Sequence, residues 1–247
     1  MRVTVLAGGT GGTKLAHGFA MLPGVELTVI ANVGDDAEVH GLLVCPDIDA
    51  ILYTLAGLID TERGWGVAGD TLTAHAMFER YGEETWFTVG DADLATHVHR
   101  ARLMRDGASL TEATATMATA LGIRARILPA SDEAWRTIIR TDDGPVAFQE
   151  YFVRRRHEPD IRGVDFEGSG RPAPGVLAAL TNAELIVIGP SNPIVSIGPI
   201  LTLDGIGSLV TQASVPRVAV SPIVAGQALK GPADRMLASL GHEVSAL

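Results

Sequence analysis

The chain has 247 residues, 47% of them apolar and 19% charged, which allows a sizeable core and excludes a disordered chain. A net charge of −10 and a pI near 5.1 argue against a nucleic-acid partner, because no basic face can dominate such a chain. The one cysteine, Cys45, reads as a small buried side chain; it forbids an internal disulfide and, with no secretory signal and no apolar run of about 18 residues, leaves a cytoplasmic protein without a membrane as the expectation.

The opening run Val3-Thr4-Val5-Leu6-Ala7 has the pattern of a strand buried on both faces. Gly8-Gly9-Thr10-Gly11-Gly12-Thr13 follows, and apolar residues return with helical spacing at Leu15, Phe19 and Leu22. Strand, glycine turn and helix in that order set free backbone N–H groups and the positive end of a helix dipole at the strand's end, where they attract phosphate. The turn is not a dinucleotide fingerprint, since Lys14 stands where the third glycine would fall. It is not a Walker loop either, since the G-x-x-x-x-G-K spacing is absent. A plain tight turn is the competing reading.

Residues 26–31 read as a second parallel strand ending in Asn32-Val33-Gly34-Asp35-Asp36, at the same sheet edge as the glycine turn. Two adjacent carboxylates beside phosphates make physical sense with Mg²⁺ between them; a turn that caps the next segment is the alternative. Pro46-Asp47-Ile48-Asp49 reads as a helix start. One aspartate is expected near the N-cap, which leaves the other for a ligand, a metal or a hydroxyl.

From there the pattern turns helical, over 70–81, over 93–105, and after the capping box Ser109-Leu110-Thr111-Glu112 up to Gly122. His97 and His99 are two apart and so on different helix faces, one expected buried and satisfied, the other exposed. Trp65 and Trp86 read as packing anchors. Residues 126–128 and 136–140 read as strands, Asp142-Asp143-Gly144 as a hairpin turn, and 146–153 as the strand pairing back, together a small antiparallel piece. Residues 157–174 read as a surface connection. Sheet character resumes with a helix over 174–180, a buried strand over 184–188, a helix over 206–213 and a strand over 217–220. Ser191, Asn192 and Ser196, in the turn after the buried strand, suit base or ribose hydrogen bonding, with turn chemistry as the competitor. Residues 243–247 read as the beginning of a further strand. The expected fold is α/β: a Rossmann-like, mostly parallel sheet with helices on both faces. Residues 1–50 and 174–247 are its core, and 51–173 a largely helical insertion or lid carrying a small antiparallel hairpin.

The glycine turn, Asn32-Val33-Gly34-Asp35-Asp36, Pro46-Asp47-Ile48-Asp49, Arg63-Gly64-Trp65-Gly66, and Gly189-Pro190-Ser191-Asn192-Pro193 with Ser196-Ile197-Gly198-Pro199-Ile200 together resemble the 2-phospho-L-lactate transferases, which make the deazaflavin coenzyme F-420. The resemblance runs collinearly along the whole chain. It implies transfer of a phospholactyl or phosphoenolpyruvyl group from a diphospho-guanosine donor to the terminal hydroxyl of the deazaflavin alcohol Fo, with GMP leaving, Mg²⁺ required and a homodimer formed. By that resemblance Gly9, Thr10, Gly11, Gly12 and Thr13 meet the donor's phosphates, and Ser191, Asn192 and Ser196 its nucleoside. Asp35 and Asp36 take the metal or help deprotonate the hydroxyl. Asp49 contacts Fo and, with Asp35, is the catalytic candidate. Asn32, Asp47, Thr88 and His97 complete the expected substrate contacts, although the family often has lysine or arginine at the position of Thr88. Relatives run on past residue 247, so the C-terminus is expected to be truncated relative to them. A related regulatory family, the gluconeogenesis-factor type, shares the glycine turn and the sheet, and a non-catalytic nucleotide-sugar-binding protein is the alternative.

Overall fold

In the computed structural model, which describes residues 1–246, the opening run is strand β1 (Arg2–Ala7) and lies at the centre of a five-stranded parallel sheet. All its residues but the first are buried, as a strand covered on both faces requires. Helix α1 (Gly9–Ala20) leaves it, and β2 (Glu26–Ala31) returns beside β1 with Leu6 opposite Ile30. A hairpin of β3 (Ala37–Val39) and β4 (Leu42–Val44) turns on His40 and Gly41, both at positive φ, and delivers the chain to α2 (Pro46–Leu55). Helices α3 (Thr73–Arg80), α4 (Asp91–Arg105) and α5 (Leu110–Ala120) follow, the last opened by the expected reciprocal bonds between Ser109 and Glu112.

Strand β5 (Arg126–Pro129) then rejoins the sheet and pairs in parallel with β2, Val29 opposite Ile127. The expectation that 126–128 belongs to the antiparallel piece is therefore corrected. A parallel neighbour needs a long crossover, which α2 to α5 supply, and Ile127 and Leu128 are buried in the main core. The chain between 51 and 173 thus touches the sheet midway instead of leaving it in one excursion.

The antiparallel piece has three strands, with β6 (Trp135–Thr141) between β7 (Gly144–Ala147) and β8 (Ile161–Gly168). The hairpin turns over residues 142–144 as expected, but β7 stops at Ala147, and Glu150–Arg154 coil into a single π-turn. Residues 161–168, expected to be a surface connection, are a strand. A register shift where β8 passes Arg140 and Thr141 breaks the alternation that would have marked it.

Helix α6 (Val176–Thr181) leads to β9 (Leu185–Ile188), which pairs with the other side of β1, Val5 opposite Val187. After α7 (Gly198–Leu201) and α8 (Ile206–Gln212), β10 (Arg217–Ala219) forms the sheet's edge. A two-stranded hairpin, β11 (Ile223–Val224) with β12 (Gln227–Ala228), and α9 (Ala233–Ser239) end the described chain. Residues 243–246 form no strand, contrary to expectation, and Leu247 lies outside the described residues.

The spatial order is β10-β9-β1-β2-β5. The chain winds outward from β1 in one direction, returns, and winds outward in the other, so the two halves part between β1 and β9. In a Rossmann-like sheet ligands bind at that switch point, beyond the strands' C-terminal ends. Among the described residues no single helix is long and apolar enough to cross a membrane.

Candidate active site

The switch point is made by backbone meeting backbone. Helix α1 starts at Gly9, at φ +63°, so the glycines form its first turn rather than a loose loop. That turn packs against the turn after β9: a Cβ on Gly189 would stand 2.8 Å from Gly12 Cα, and one on Gly11 would run into the Pro190 carbonyl. Ser191 locks the two together, its hydroxyl donating to the Gly8 carbonyl and accepting the Gly8 N–H at 3.3 Å. Thr13 is buried and donates to Gly9 O at 2.8 Å, while Thr10 reaches Gly64 O at 3.4 Å, where the loop over 60–67 leans across the turn.

The acidic turn after β2 is gathered around Asn32, which is wholly enclosed. Its Nδ2 donates to Asp35 Oδ1 at 3.0 Å and to Asp47 Oδ2 at 2.8 Å, and its Oδ1 accepts the Gly34 N–H at 2.8 Å. Asp47 in turn accepts the Gly9 N–H at the start of α1. The antiparallel sheet clasps this turn from outside: Thr137 N–H bonds Gly34 O at 2.9 Å, Arg136 reaches Val33 O at 3.3 Å, and Gln149 reaches Asp35 O at 2.9 Å. Neither Asp47 nor Asp49 caps α2, contrary to expectation. The N-cap is Cys45, whose side chain makes no capping bond, and Pro46 follows it, so both carboxylates turn instead to partners outside α2, Asp47 to Asn32 and Gly9 and Asp49 to Arg100.

Burying so many carboxylates raises their affinity for protons. Burial pushes Asp36 up to about 7 against the opposing pull of Arg136 and a bond from the Cys45 thiol. Asp47 is pushed to about 6 by burial, with the bonds from Gly9 and Asn32 opposing. Asp35 is raised well above the usual range by burial and then by the charge of Asp47. The Cys45 thiol is also driven upward, first by burial and then by Asp36. Asp36 Oδ1 is buried without a hydrogen-bond partner.

Two residues further along α2, Asp49 meets α4. Arg100, fully enclosed, forks onto both Asp49 oxygens. His97 lies between two carboxylates, Nδ1 at 3.6 Å from Asp49 Oδ2 and Nε2 at 3.4 Å from Asp93 Oδ1, and Nε2 lacks a well-directed hydrogen bond. Tyr53 donates to Asp93 at 2.7 Å. Burial works to raise Asp93, but His97, Tyr53 and Arg100 outweigh it and hold that carboxyl below its ordinary value. One ligand atom from each of Asp49, Asp93 and His97 lies within 4.8 Å of the others, an arrangement that could chelate a divalent metal. Asp35 and Asp36 belong to no such trio among the described residues.

The remaining expected contacts are placed as follows. Ser196 is buried against the glycine turn, 2.8 Å from where a Cβ on Gly8 would stand. Asn192 caps the π-turn Pro193–Ile197, accepting the Ile194 N–H at 2.9 Å, and turns its Nδ2 to Met236 Sδ at 3.0 Å. Thr88 is half-buried in the irregular run before α4 and shares no hydrogen bond with these residues. His99 is half-buried rather than exposed, and Trp65, expected to be a packing anchor, is 47% exposed under the Arg63 guanidinium at 5.0 Å. Sequence reading missed Tyr53, Asp93 and Arg100. A signal was available: Asp93, His97 and Arg100 fall at i, i+4 and i+7 of one helix, polar residues at the spacing of a core face.

A Rossmann-like sheet whose switch point carries a glycine helix start and a buried acidic cluster has the architecture of an α/β ligand-binding protein. The chain belongs to the 2-phospho-L-lactate transferase CofD family, whose model matches residues 3–246. It is 43% identical over 246 residues to the 2-phospho-L-lactate transferase of Methanosarcina mazei, spanning 98% of this chain and 80% of that protein. It is 42% identical over 255 residues to the phosphoenolpyruvate transferase of Kitasatospora aureofaciens, spanning 100% of this chain and 79% of that one. Among solved structures, a UPF0052 family member from Bacillus halodurans superposes with a TM-score of 0.64 at 22% identity, covering 88% of this chain and 67% of the other, a likeness of fold. Family membership makes this chain an enzyme of the phosphotransferase type.

Proposed function

We propose that this chain moves a phospholactyl or phosphoenolpyruvyl group from a diphospho-guanosine donor to the terminal hydroxyl of the deazaflavin alcohol Fo, releasing GMP, with Mg²⁺ and as a cytoplasmic homodimer. Family membership supports the transfer. The observation that carries the site assignment is the gathering of Asp35 and Asp47 around Asn32 beside the first turn of α1, with Asp36 buried next to Asp35 in the same turn.

An acidic protein can hold a diphosphate through backbone N–H groups, a helix end and a cation. The first turn of α1 supplies the first two. For the cation, the residues fit: Asp36 Oδ1 is buried and unpartnered, and burial raises the proton affinity of both Asp35 and Asp36, for Asp36 against the pull of Arg136 and Arg100. Asp35 and Asp36 would hold Mg²⁺, which when bound neutralises charge on the phosphates. Asn32 keeps Asp35 and Asp47 oriented. Asp49 receives the hydrogen bond of Fo's hydroxyl. That oxygen bonds to the phosphorus carrying the three-carbon acid, the bond from this phosphorus to the GMP oxygen breaks, and the hydroxyl's proton passes to Asp49, which already holds it in a hydrogen bond. The helical stretch after α2, with its loop across Thr10, is the cover over the acceptor.

The test is incubation of the protein with Mg²⁺, Fo and each synthetic donor, the products being weighed by mass spectrometry. Fo heavier by one phosphorylated three-carbon acid, with one GMP per product, is expected; no adduct with either donor would overturn the reading. Asp49→Asn is expected to cut turnover by about 100-fold or more while donor affinity changes little, as kinetics with each substrate varied would reveal.

A further inference from the structure

Arg100 puts a charge where a core helix ordinarily carries a leucine. Its side chain is fully enclosed, on the face of α4 that also turns Asp93 and His97 inward. Nη2 donates to one oxygen of Asp49 and Nη1 to the other at 3.3 Å, while Nη1 also reaches the Leu43 carbonyl at 3.2 Å. Nε is buried with no hydrogen-bond partner. A buried ion pair of this kind gives little stability over apolar side chains of the same volume, so folding alone does not account for it.

What the fork does supply is orientation. It fixes both oxygens of Asp49 at once, which the point charge of a lysine cannot copy. Asp49 sits two residues past Asp47 in the first turn of α2, and Asp47 is bonded to the Gly9 N–H at the start of α1. A side chain arriving from α4 therefore sets where Asp49 stands relative to the glycine turn. The tie to Leu43 O anchors the same guanidinium to β4, so the fork cannot swing with Asp49 but holds it from a fixed point.

We propose that Arg100 is a positioning residue for the transfer, acting through Asp49 to aim this carboxylate at the incoming hydroxyl. The proposal rests on the reading that the acceptor alcohol docks at Asp49. It differs from a purely structural role in a measurable way. A structural prop, once loosened, harms both substrates and the fold together, whereas a fork that aims Asp49 harms the acceptor's step alone.

The experiment uses the full chain with Mg²⁺ and varies Fo and the donor separately in R100K, R100A and the double variant D49N/R100A. For R100K we expect kcat/KM for Fo to fall by about 10–100-fold with the donor's KM within about twofold of the unaltered chain. Added guanidinium chloride should recover part of the Fo turnover of R100A and none of that of D49N/R100A, and the double variant should be no worse than D49N. If R100A does not fold, R100K decides by itself. R100K turning over Fo as well as the unaltered chain, or losing both substrates in equal proportion, would overturn the proposal. Absence of transfer by the unaltered chain would overturn the function reading, and this proposal with it.

Discussion

Asp36 is a buried carboxyl facing too little positive charge, and the sign of its effect on stability follows. Its affinity for protons is higher in the folded chain, about 7, than the ordinary carboxylate value of 3.8, chiefly because burial penalises the ion. Between those two values the folded state binds more protons than the unfolded one. The stabilisation is fully present below the ordinary value and is lost as pH rises through about 7, at up to ~1.4 kcal/mol per pH unit for one group. Asp47, raised to about 6, acts in the same direction, whereas Asp93, held low, acts in the opposite one. The difference between the protein and its Asp36→Asn variant isolates the effect. Without metal the variant is expected to melt progressively higher than the protein as pH rises across the window. Mg²⁺ should close that gap at the alkaline end by stabilising the ionised form. Melting curves by scanning fluorimetry with and without Mg²⁺ check both, and a gap independent of pH would refute the first. Asp35, Asp36 and Asp47 were legible in the sequence because they lie in the turn after a strand end or directly follow a helix-starting proline. Arg100 was not, since its meaning depends on Asp49, 51 residues earlier.

Helix α3 buries none of its residues, so packing alone does not explain why it forms. Its support is a reciprocal exchange of caps with α4. Asp70, just before α3, accepts the Ala92 and Asp93 N–H groups at the start of α4, at 2.8 and 3.0 Å. Asp91, at the start of α4, accepts the Thr73 and Ala74 N–H groups at 3.1 and 2.8 Å and a bond from the Thr71 hydroxyl. Each aspartate thus quenches orphan donors of the other's helix. Asp70→Ala and Asp91→Ala are each expected to cost about 0.5–2 kcal/mol in urea unfolding, and the pair less than the sum, since losing one cap already loosens the geometry the other needs. Amide exchange over 73–80 should accelerate in either variant while β1 and β9 stay protected. The sequence put Asp70 inside the helix, which is reasonable by propensity, because nothing local shows that its partners lie more than 20 residues on. The parallel pairing of β5 escaped for a similar reason. The four residues from Arg126 to Pro129 carry no period long enough to separate a parallel core strand from an antiparallel one.

At the scale of the molecule, the sheet is two halves whose turns approach backbone to backbone, with the Ser191 hydroxyl joining them. One half runs β1, β2, β5 and the other β9, β10, and their seam is the approach of Gly12 to Gly189 and of Gly11 to Pro190. The α/β class and the glycine turn were readable from sequence because strand, glycines and helix are contiguous there. The seam was not, since its partners come from opposite ends of the chain. The seam predicts opposite outcomes for two glycines that sequence alone treats alike. A methyl on Gly189 would sit 2.8 Å from Gly12 Cα and 3.1 Å from Leu6 O, both backbone, so α1 must shift as a body to admit it. Gly189→Ala is therefore expected to cost about 1–3 kcal/mol by overpacking, and to weaken donor binding because the shifted α1 no longer presents its first turn to the phosphates. A methyl on Gly18, exposed on the same helix with nothing within 4 Å, should instead stabilise by about 0.5–1 kcal/mol and leave binding unchanged. Urea midpoints and GDP titrations of the two variants, measured side by side, check the contrast. Equal tolerance of the two methyls would mean that α1 is not wedged against the second half, and that the cleft is not built on this seam.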